Sequence, residues 1–345
     1  MMMLFFVFTF YLYVKRKGMI QKTTTATERN TKVFTFSFIS ALIGVCILAL
    51  ISIHIGFYNI YASKEGWNML FITRIPRTLS LILTGIAMSV SGLVMQRITQ
   101  NRMVEPTTTG TIEWAGLGLL CVYIIVPAPS LLLRMGAAIV CSFIGTMIFF
   151  LLLRRIRLKS SAMVPIVGMM CGAVISALSS FLSLQFNASQ VIQNWFVGSF
   201  SGVQIGRYEY LYLIIIITVC IYAYAHHIAV VGLGKDIATN LGVNYNRVVL
   251  VGTALVSLAV GIVSAVVGNL PFLGLIVPNI VSIVRGDNIK TNLPWVCVLG
   301  TGAVILCDIL SRVVIEPFEV PVSLILGTIG ALIFTVLLLR ERKRS

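Results

Sequence analysis

Charged residues are scarce in this chain. Only 11% of its 345 residues are charged, with 26 Lys and Arg against 11 Asp and Glu, whereas a soluble domain carries about 25% charged residues. Apolar residues instead make up 58% of the chain, and the mean hydropathy is +0.99. A soluble fold could not bury so much apolar surface. The composition therefore excludes a soluble globular domain and predicts an all-α protein that crosses a membrane many times.

The chain also lacks the short motifs that hold nucleotides, metals or catalytic groups. It contains no GxxxxGK[ST] loop for ATP phosphates, no HExxH zinc motif, no GxSxG nucleophile motif and no CxxC pair. Its seven cysteines all lie in apolar runs, where cysteine serves as a small packing residue. The sequence therefore predicts no catalytic site, no metal site and no cofactor, and a polytopic membrane enzyme is disfavoured.

Acidic residues inside apolar runs are too few for an ion relay. An ion-coupled secondary transporter needs buried acidic or histidine residues along its pathway, and only Glu113 and Asp308 qualify here. Glu113 is expected to face a water-filled cavity, and a threonine within 107–109 is expected to cap its helix. Asp308 and Arg312 lie four residues apart, which predicts an ion pair on one helix face.

Ten apolar runs predict about ten transmembrane helices. We expect them at 36–60, 78–97, 108–126, 131–153, 162–184, 208–228, 247–268, 273–285, 294–314 and 321–339. Residues 36–345 then form one membrane domain, and residues 1–35 form a cytoplasmic tail. The apolar run 1–14 is too short for a span, and Met19 is a candidate translation start.

The basic residues fix the expected orientation. With the N-terminus inside, 20 of the 26 Lys and Arg fall on the cytoplasmic side, which places both termini in the cytoplasm. The six on the outer side are Lys64, Arg74, Arg77, Arg134, Arg207 and Arg312. The net charge of +15 thus reflects topology and contact with anionic lipid. A nucleic-acid partner is not expected, because the basic residues are scattered over short loops.

Local patterns predict packing faces and short helices. Gly85, Ser89 and Gly92 share one helix face, as do the small residues between Ser257 and Gly268, and such faces let membrane helices approach closely. Pro271 and Pro278 predict a short or broken eighth span. Two amphipathic segments outside the spans, 187–206 on the outer side and 232–244 on the inner side, predict short surface helices.

Two outer arginines, Arg74 and Arg77, flank Ile75-Pro76. One interpretation is snorkelling at the membrane interface. The alternative is a contact with carboxylates of an extracellular partner, because the guanidinium group matches a carboxylate with two parallel hydrogen bonds.

Several ordered segments closely resemble the FecCD-type permeases, the membrane subunits of ATP-binding-cassette importers for iron-siderophores, haem and cobalamin. These segments are RIPRTLSLILTGIAMSVSGLVMQ at 74–96, NRMVEPTTTGTIEWAGLG at 101–118, LGKDIATNLGVN at 233–244, GNLPFLGLIVPNIVSIVRGDN at 268–288 and LCDILSRVVIEPFEVPVSLILGTIGA at 306–331. The resemblance implies a type II importer permease of the cobalamin-importer kind, with ten spans, in the bacterial cytoplasmic membrane.

The resemblance also implies a set of partners. These are a second permease subunit, identical or not, two ATPase subunits that carry ATP and Mg²⁺, and an extracytoplasmic substrate-binding protein. The chain itself is then a transporter subunit and not an enzyme.

The same resemblance assigns roles to residues. Docking of the binding protein is implied for Arg74, Arg77 and Arg312. Coupling to the ATPase is implied for Gly234, Lys235, Asp236, Ile237, Ala238, Leu241 and Gly242, with Lys235-Asp236 where many relatives have two acidic residues. A cytoplasmic gate is implied for Asn101, Met103, Ser160 and Ser161.

The substrate class follows from two details of the resemblance. The segment PTTTGTIEW and the pair Pro278-Asn279, where many relatives have Pro-His, are similar to the branch that handles ferric catecholate siderophores. A ferric siderophore is thus the expected cargo. Haem or cobalamin is the alternative, and an ion-coupled transporter is the alternative from another class.

Overall fold

The computed structural model describes residues 36–55, 66–156, 163–315 and 318–342, and every regular element in these ranges is helical. The α-helices are α1 Phe36–His54, α2 Gly66–Met69, α3 Ile75–Ile98, α4 Thr111–Ile125, α5 Leu131–Arg155, α6 Met163–Gln185, α7 Ser189–Phe196, α8 Leu213–Val231, α9 Lys235–Asn240, α10 Tyr245–Val266, α11 Leu273–Arg285, α12 Ile289–Val313 and α13 Val322–Arg342. A π-helical segment, Leu70–Arg74, precedes α3, and a 3-10 turn, Tyr208–Tyr212, precedes α8.

Ten of these helical stretches are apolar enough to lie in a membrane. Within the described ranges, seven also have the length to cross it: α1, Leu70–Ile98, α5, α6, Tyr208–Val231, α10 and α12. The shorter three are α4, α11 and the first part of α13, Val322–Thr335. The predicted all-α polytopic fold is confirmed. The two predicted surface helices are present as α7 and α9.

The centre of the bundle is α3, which is buried along nearly its whole length and packs against α1, α8, α10, α11 and α12. Its small residues permit this. A β-carbon at Gly85 would stand 2.7 Å from the Cα of Thr301, and one at Gly92 would stand 1.9 Å from the carbonyl oxygen of Gly274. The backbones of α3, α11 and α12 therefore touch, as membrane helices do at small residues. This confirms the predicted packing face.

The second small-residue face joins α10 to α5. A β-carbon at Gly261 would meet Ile139 at 2.5 Å. Next to it, Ser142 Oγ donates to the carbonyl oxygen of Ser257 over 3.3 Å. The predicted face from Ser257 is therefore a helix seam.

The second span begins earlier than predicted. The sequence predicts a start at residue 78, yet the apolar helical stretch runs from Leu70 to Ile98. The error arose because Pro76 looked like a boundary. A proline in the first turn of a helix needs no N–H partner, and the π-helical turn just before it keeps Ile75 N–H bonded to the carbonyl of Leu70.

The predicted threonine cap of α4 is wrong. The residue before α4 is Gly110, at φ 78°, and it makes no side-chain cap. Thr108 and Thr109 instead donate to the carbonyl oxygen of Glu105, over 3.0 and 3.2 Å. The threonines thus close the turn before the helix, and glycine supplies the left-handed conformation that starts it.

The predicted short eighth span is confirmed as α11, with 13 residues. Pro278 lies inside it and leaves the carbonyl of Gly274 without its usual N–H donor. Gln96 Nε2, from α3, donates to that carbonyl over 3.2 Å. The helix is therefore continuous, because a neighbour replaces the missing hydrogen bond.

Candidate functional site

At the predicted outer end, one buried carboxylate holds two arginines. The Asp308 side chain is 0% exposed. It accepts from Arg77 Nε at 3.1 Å and Nη2 at 2.7 Å, and from Arg312 Nη2 at 2.5 Å. The predicted Asp308–Arg312 ion pair is confirmed. The carboxylate joins the start of α3 to the end of α12, and its negative charge is compensated on both sides.

Arg77 has a second acidic partner. Its remaining nitrogen, Nη1, donates to Glu319 Oε1 over 2.8 Å. The Glu319 side chain is 38% exposed and Arg77 is 14% exposed. Arg77 therefore has an inner edge fixed on Asp308 and an outer edge on a carboxylate that water reaches.

The other two outer arginines hold the end of α1. Arg312 Nη1 donates to the carbonyls of Ser52 and Ile55, at 2.9 and 2.6 Å. Arg74 Nη1 donates to the carbonyls of Ile53 and His54, at 3.0 and 3.1 Å. The last carbonyls of a helix lack intrahelical donors and favour cations. These arginines thus fasten α1 to α3 and α12.

On the predicted inner side, α9 is a short helix between two glycines in conformations that other residues rarely adopt. Gly234 has φ 115° and Gly242 has φ 77°. Val243 N–H donates to the carbonyl of Ala238 over 2.9 Å, and Gly242 N–H donates to that of Thr239 over 2.9 Å, which ends the helix. The short inner helix predicted within residues 232–244 is therefore confirmed.

Apolar side chains lie on the exposed surface of α9 and its flanks. Ala238 is buried against the bundle, while Leu233, Ile237 and Leu241 are all exposed. Ile237 and Leu241 lie four residues apart and form one exposed apolar face, while Leu233 lies ahead of the helix, before Gly234 at φ 115°. Lys235 and Asp236 are exposed beside it. An outward apolar face on a short helix is typical of a surface that another protein covers.

The loop 99–110 joins α3 to α4 and lies against α11. Asn279 Nδ2, on α11, donates to the carbonyl of Arg102 over 2.7 Å. Within the loop, Asn101 Oδ1 accepts from Met103 N–H at 2.9 Å. The predicted gate residues Asn101 and Met103 are thus held beside α11. Ser160 and Ser161 lie outside the described residues.

A second carboxylate with two arginines lies on the predicted inner side. Asp287 follows α11 and accepts from Arg97 Nη2 at 3.3 Å and from Arg102 Nη2 at 2.7 Å. Ser282 also donates to it. Burial acts to raise the pKa of Asp287, but the Ser282 hydrogen bond and the charges of Arg102 and Arg97 outweigh it, so the pKa lies below its usual value. These groups line a cavity that reaches Gly232, just before α9.

A third carboxylate, Glu105, is buried in the loop. Among the residues that the structure describes, it has no Lys or Arg as an ion-pair partner. It is 0% exposed. Its Oε1 accepts from Phe272 N–H at 3.0 Å, at the start of α11, and from the Thr107 hydroxyl. Burial raises the pKa of Glu105 to about 7, although these hydrogen bonds oppose the shift. Glu105 therefore ties the loop to the beginning of α11.

Neither Glu113 nor the histidines form a cluster with other ligands. Glu113 packs beside Gly172 of α6, with its carboxyl carbon 3.3 Å from where a β-carbon would stand. His226 and His227 are exposed on α8. Across the part of the chain that the structure describes, no three His, Cys, Asp or Glu side chains are placed to share a metal ion.

The match to a family model decides the classification. The model of the FecCD transport family matches residues 33–340. This chain belongs to the FecCD transport family. The resemblance inferred from the motifs is therefore confirmed.

Curated relatives of this FecCD protein carry names of siderophore importers. It is 62% identical to the petrobactin import system permease protein FatD of Bacillus anthracis, over 91% of this chain and 94% of that one. It is 41% identical to the petrobactin import system permease protein YclN of Bacillus subtilis strain 168, over 86% and 96%. Both similarities extend over nearly the whole of each relative.

A solved structure supports the fold. An inward-facing ABC transporter of the metal-chelate type superposes with a TM-score of 0.76, over 88% of this chain and 98% of that chain, at 24% identity. The helical arrangement described above is thus the fold of that transporter chain.

Sequence reasoning missed three residues of the FecCD protein's polar clusters: Glu319, Asp287 and Glu105 as a link between elements. A usable signal existed. The chain has only 11 acidic residues against 26 basic ones. Each acidic residue near a predicted span end is therefore a candidate partner for a nearby arginine. Gln96 carried no such signal, because its partner is a backbone carbonyl 178 residues away.

Proposed function

We propose that this FecCD protein is the permease subunit of an ATP-binding-cassette importer that carries a ferric siderophore inward across the cytoplasmic membrane. The observation that carries the substrate class is the 62% identity to a petrobactin permease over 91% of the chain. We therefore propose a siderophore of the petrobactin type as the cargo. Iron arrives already chelated, so the permease needs no metal ligands of its own.

The proposed mechanism is alternating access in a dimer of permease subunits. A loaded binding protein docks on the outer side, and ATP binding with Mg²⁺ closes two ATPase subunits on the inner side. That closure moves α9, and α9 moves the spans. With both termini in the cytoplasm, α9 and Asp287 lie on the ATPase side and Asp308 lies on the binding-protein side.

Docking is proposed for Arg74, Arg77 and Arg312. Arg77 supports it most directly, because one of its nitrogens faces an exposed carboxylate. Arg312 is 7% exposed, and its nitrogens donate to Asp308 and to the end of α1. Its contribution is therefore to fix the rim on which the binding protein sits.

Coupling is proposed for α9 and its flanks: Gly234, Lys235, Asp236, Ile237, Ala238, Leu241 and Gly242. The exposed apolar face of Ile237 and Leu241 supports this role, and Leu233 just before the helix is exposed as well. Such a face fits a groove in an ATPase, because an amphipathic helix binds a partner through its apolar side.

The cytoplasmic gate is proposed at Asn101, Met103, Ser160 and Ser161. The support is positional. Loop 99–110 touches α11 through Asn279, and the neighbouring cavity extends to Gly232. A displacement of α9 would therefore reach this loop over a short path.

The test is reconstitution with partners. The permease is co-purified with candidate ATPase and binding-protein partners, and stimulated ATP hydrolysis is measured with ferric petrobactin, other ferric siderophores, haem and cobalamin. We expect stimulation by ferric siderophore alone. Stimulation by haem or cobalamin instead would replace the cargo. Uptake that stops when the proton gradient is dissipated, with ATP intact, would indicate an ion-coupled transporter.

The coupling role has its own test. Ile237→Ser with Leu241→Ser should release the ATPase during purification, because it removes the outward apolar face. Thr239→Ser is the matched control on the same helix. An ATPase that still co-purifies with the double variant would contradict the coupling assignment.

A further inference from the structure

Arg77 divides its hydrogen bonds between two carboxylates of very different exposure. Nε and Nη2 lie on Asp308, which is 0% exposed, and Nη1 lies on Glu319, which is 38% exposed. Two bonds to one oxygen, Asp308 Oδ1, hold one edge of the guanidinium group. The bond to Glu319 lies on the other edge, so it can be exchanged while the first edge stays on Asp308.

We propose that Glu319 is an internal stand-in for the binding protein: its carboxylate occupies Arg77 in the free permease and is displaced by a carboxylate of the docking protein. This inference rests on the proposed docking role of Arg77. It adds a residue that sets docking strength, and it predicts that the free outer rim holds its own competitor.

The charges of the cluster favour such an exchange. Arg77 and Arg312 supply two positive charges, and Asp308 and Glu319 supply two negative ones, so the four side chains are neutral together. A neutral cluster contributes little attraction for an acidic partner. Once Glu319 leaves, the remaining three carry one positive charge, which a carboxylate from the partner then neutralises.

The free-energy change of the exchange is also small, because the hydrogen bond that breaks and the one that forms are of the same kind. Displacing Glu319 breaks one charge-assisted hydrogen bond, and docking forms one of the same kind. Since the Glu319 side chain is 38% exposed, its carboxylate is already partly hydrated and returns to water easily. Asp308 could not exchange in this way, because it has no contact with solvent.

The position of Glu319 in the chain suits this role. It lies in the segment between α12 and α13 and belongs to neither helix. Val320 N–H donates to the carbonyl of Ser311 over 3.0 Å, which anchors the backbone next to it at the end of α12. The side chain can thus leave Arg77 while its backbone stays in place.

The experiment measures binding of the substrate-loaded binding protein to the permease–ATPase complex in lipid nanodiscs. The binding protein used is the one that co-purifies with the complex. Glu319→Gln keeps the size of the side chain and removes its charge. Glu209→Gln is the matched control: it removes one negative charge from the 3-10 turn before α8, on the same predicted side, where Glu209 Oε1 accepts from Gly206 N–H at 2.8 Å.

We expect Glu319→Gln to lower the Kd by about two- to fivefold, the range of one exposed ion pair. The gain should lie in the association rate and should shrink at high salt, because a rim charge acts mainly on encounter. Glu209→Gln should leave the Kd unchanged. Glu319→Ala should give the same gain, which separates loss of competition from any new contact of the glutamine.

Arg77→Lys separates failure of this inference from failure of the docking role. Lysine keeps a cation for Asp308 but loses the planar fork, so it should weaken docking. If Arg77→Lys weakens docking and Glu319→Gln leaves it unchanged or weaker, Glu319 is no competitor and the inference is overturned while docking stands. If Arg77→Lys and Arg74→Gln both leave the Kd unchanged, the docking role itself falls and the inference falls with it.

Discussion

The molecule contains two clusters with the same parts, one carboxylate between two arginines, at opposite ends. Asp308 is 0% exposed and holds Arg77 and Arg312. Asp287 is 49% exposed and holds Arg97 and Arg102, which is itself 51% exposed. The central carboxylate and its two arginines are common to both clusters, whereas the exposure of the carboxylate differs most, and the outer cluster adds Glu319 and the inner one Ser282.

That difference separates a rigid end from a movable one. Breaking a buried ion pair by removing one partner costs about 3–5 kcal/mol, whereas an exposed pair contributes about 0.2–1 kcal/mol. The Asp308 cluster joins α3 and α12 and, through Arg312, α1. The Asp287 cluster joins the end of α3 and loop 99–110 to the end of α11. The proposed mechanism, driven from the inner side, requires a firm outer rim and an inner side that rearranges at low cost.

The largest expected effect is that of Asp308→Asn. The substitution leaves two guanidinium groups facing a neutral amide in a site without water, so we expect a loss of stability of about 3–5 kcal/mol. Thermal denaturation of the purified permease in nanodiscs measures it. Asp236→Asn, at an exposed position on α9, is the control. A melting temperature equal to that of the unchanged protein would contradict the rigid outer rim.

Glu105 tests what an arginine partner contributes to a buried carboxylate. It is buried like Asp308, but no arginine in the described part of the chain forms an ion pair with it. Its pKa is raised to about 7, so the folded chain keeps this proton at pH values where the unfolded chain has lost it. The folded state binds more protons, and stability therefore falls as pH rises from about 4.5 to about 7, by at most roughly 1.4 kcal/mol per pH unit.

Glu105→Gln should remove that pH dependence. Glutamine resembles the protonated carboxyl group and carries no charge at any pH. We expect the variant to match the unchanged protein at pH 5 and to be more stable at pH 8, measured as melting temperatures in nanodiscs. Parallel curves for the two proteins across this range would show that the pKa of Glu105 in the folded chain is not raised above its value in the unfolded chain.

Sequence reasoning reached the parts of this comparison that depend on short spacing. Asp308 and Arg312 are four residues apart, and α9 is delimited by Gly234 and Gly242, so both could be predicted from local patterns. Arg77 and Glu319 are 242 residues apart, and Arg102 and Asp287 are 185 apart. Those contacts depend on how α3, α11 and α12 pack, and helix periodicity alone does not specify that packing.

The small-residue faces show the same limit of prediction from sequence. The spacing of Gly85 and Gly92 predicted a seam, yet it could not say that α12 and α11 are the helices on the other side. The structure shows Gly85 against Thr301 and Gly92 against Gly274. A packing face is therefore predictable from one helix, while its partner requires the fold.

The smallest expected effect is that of Asp287→Asn on stability. Its cluster is half exposed, so the loss should be at most about 1 kcal/mol. The effect on function should be larger than the effect on stability, because Arg97 of α3 and Arg102 of loop 99–110 lose the charged partner that they share after α11. We expect ATP hydrolysis without binding protein to rise in the reconstituted complex.

The control for this last variant is Asn246→Ala. It removes the hydrogen bond from Arg154 Nη2 to Asn246 Oδ1, at 2.9 Å between α5 and α10 on the same predicted side, and it touches neither the loop nor α11. Hydrolysis should rise with Asp287→Asn and not with Asn246→Ala. If Asp287→Asn costs as much stability as Asp308→Asn, the inner cluster is as rigid as the outer one, and the movable side must be sought elsewhere.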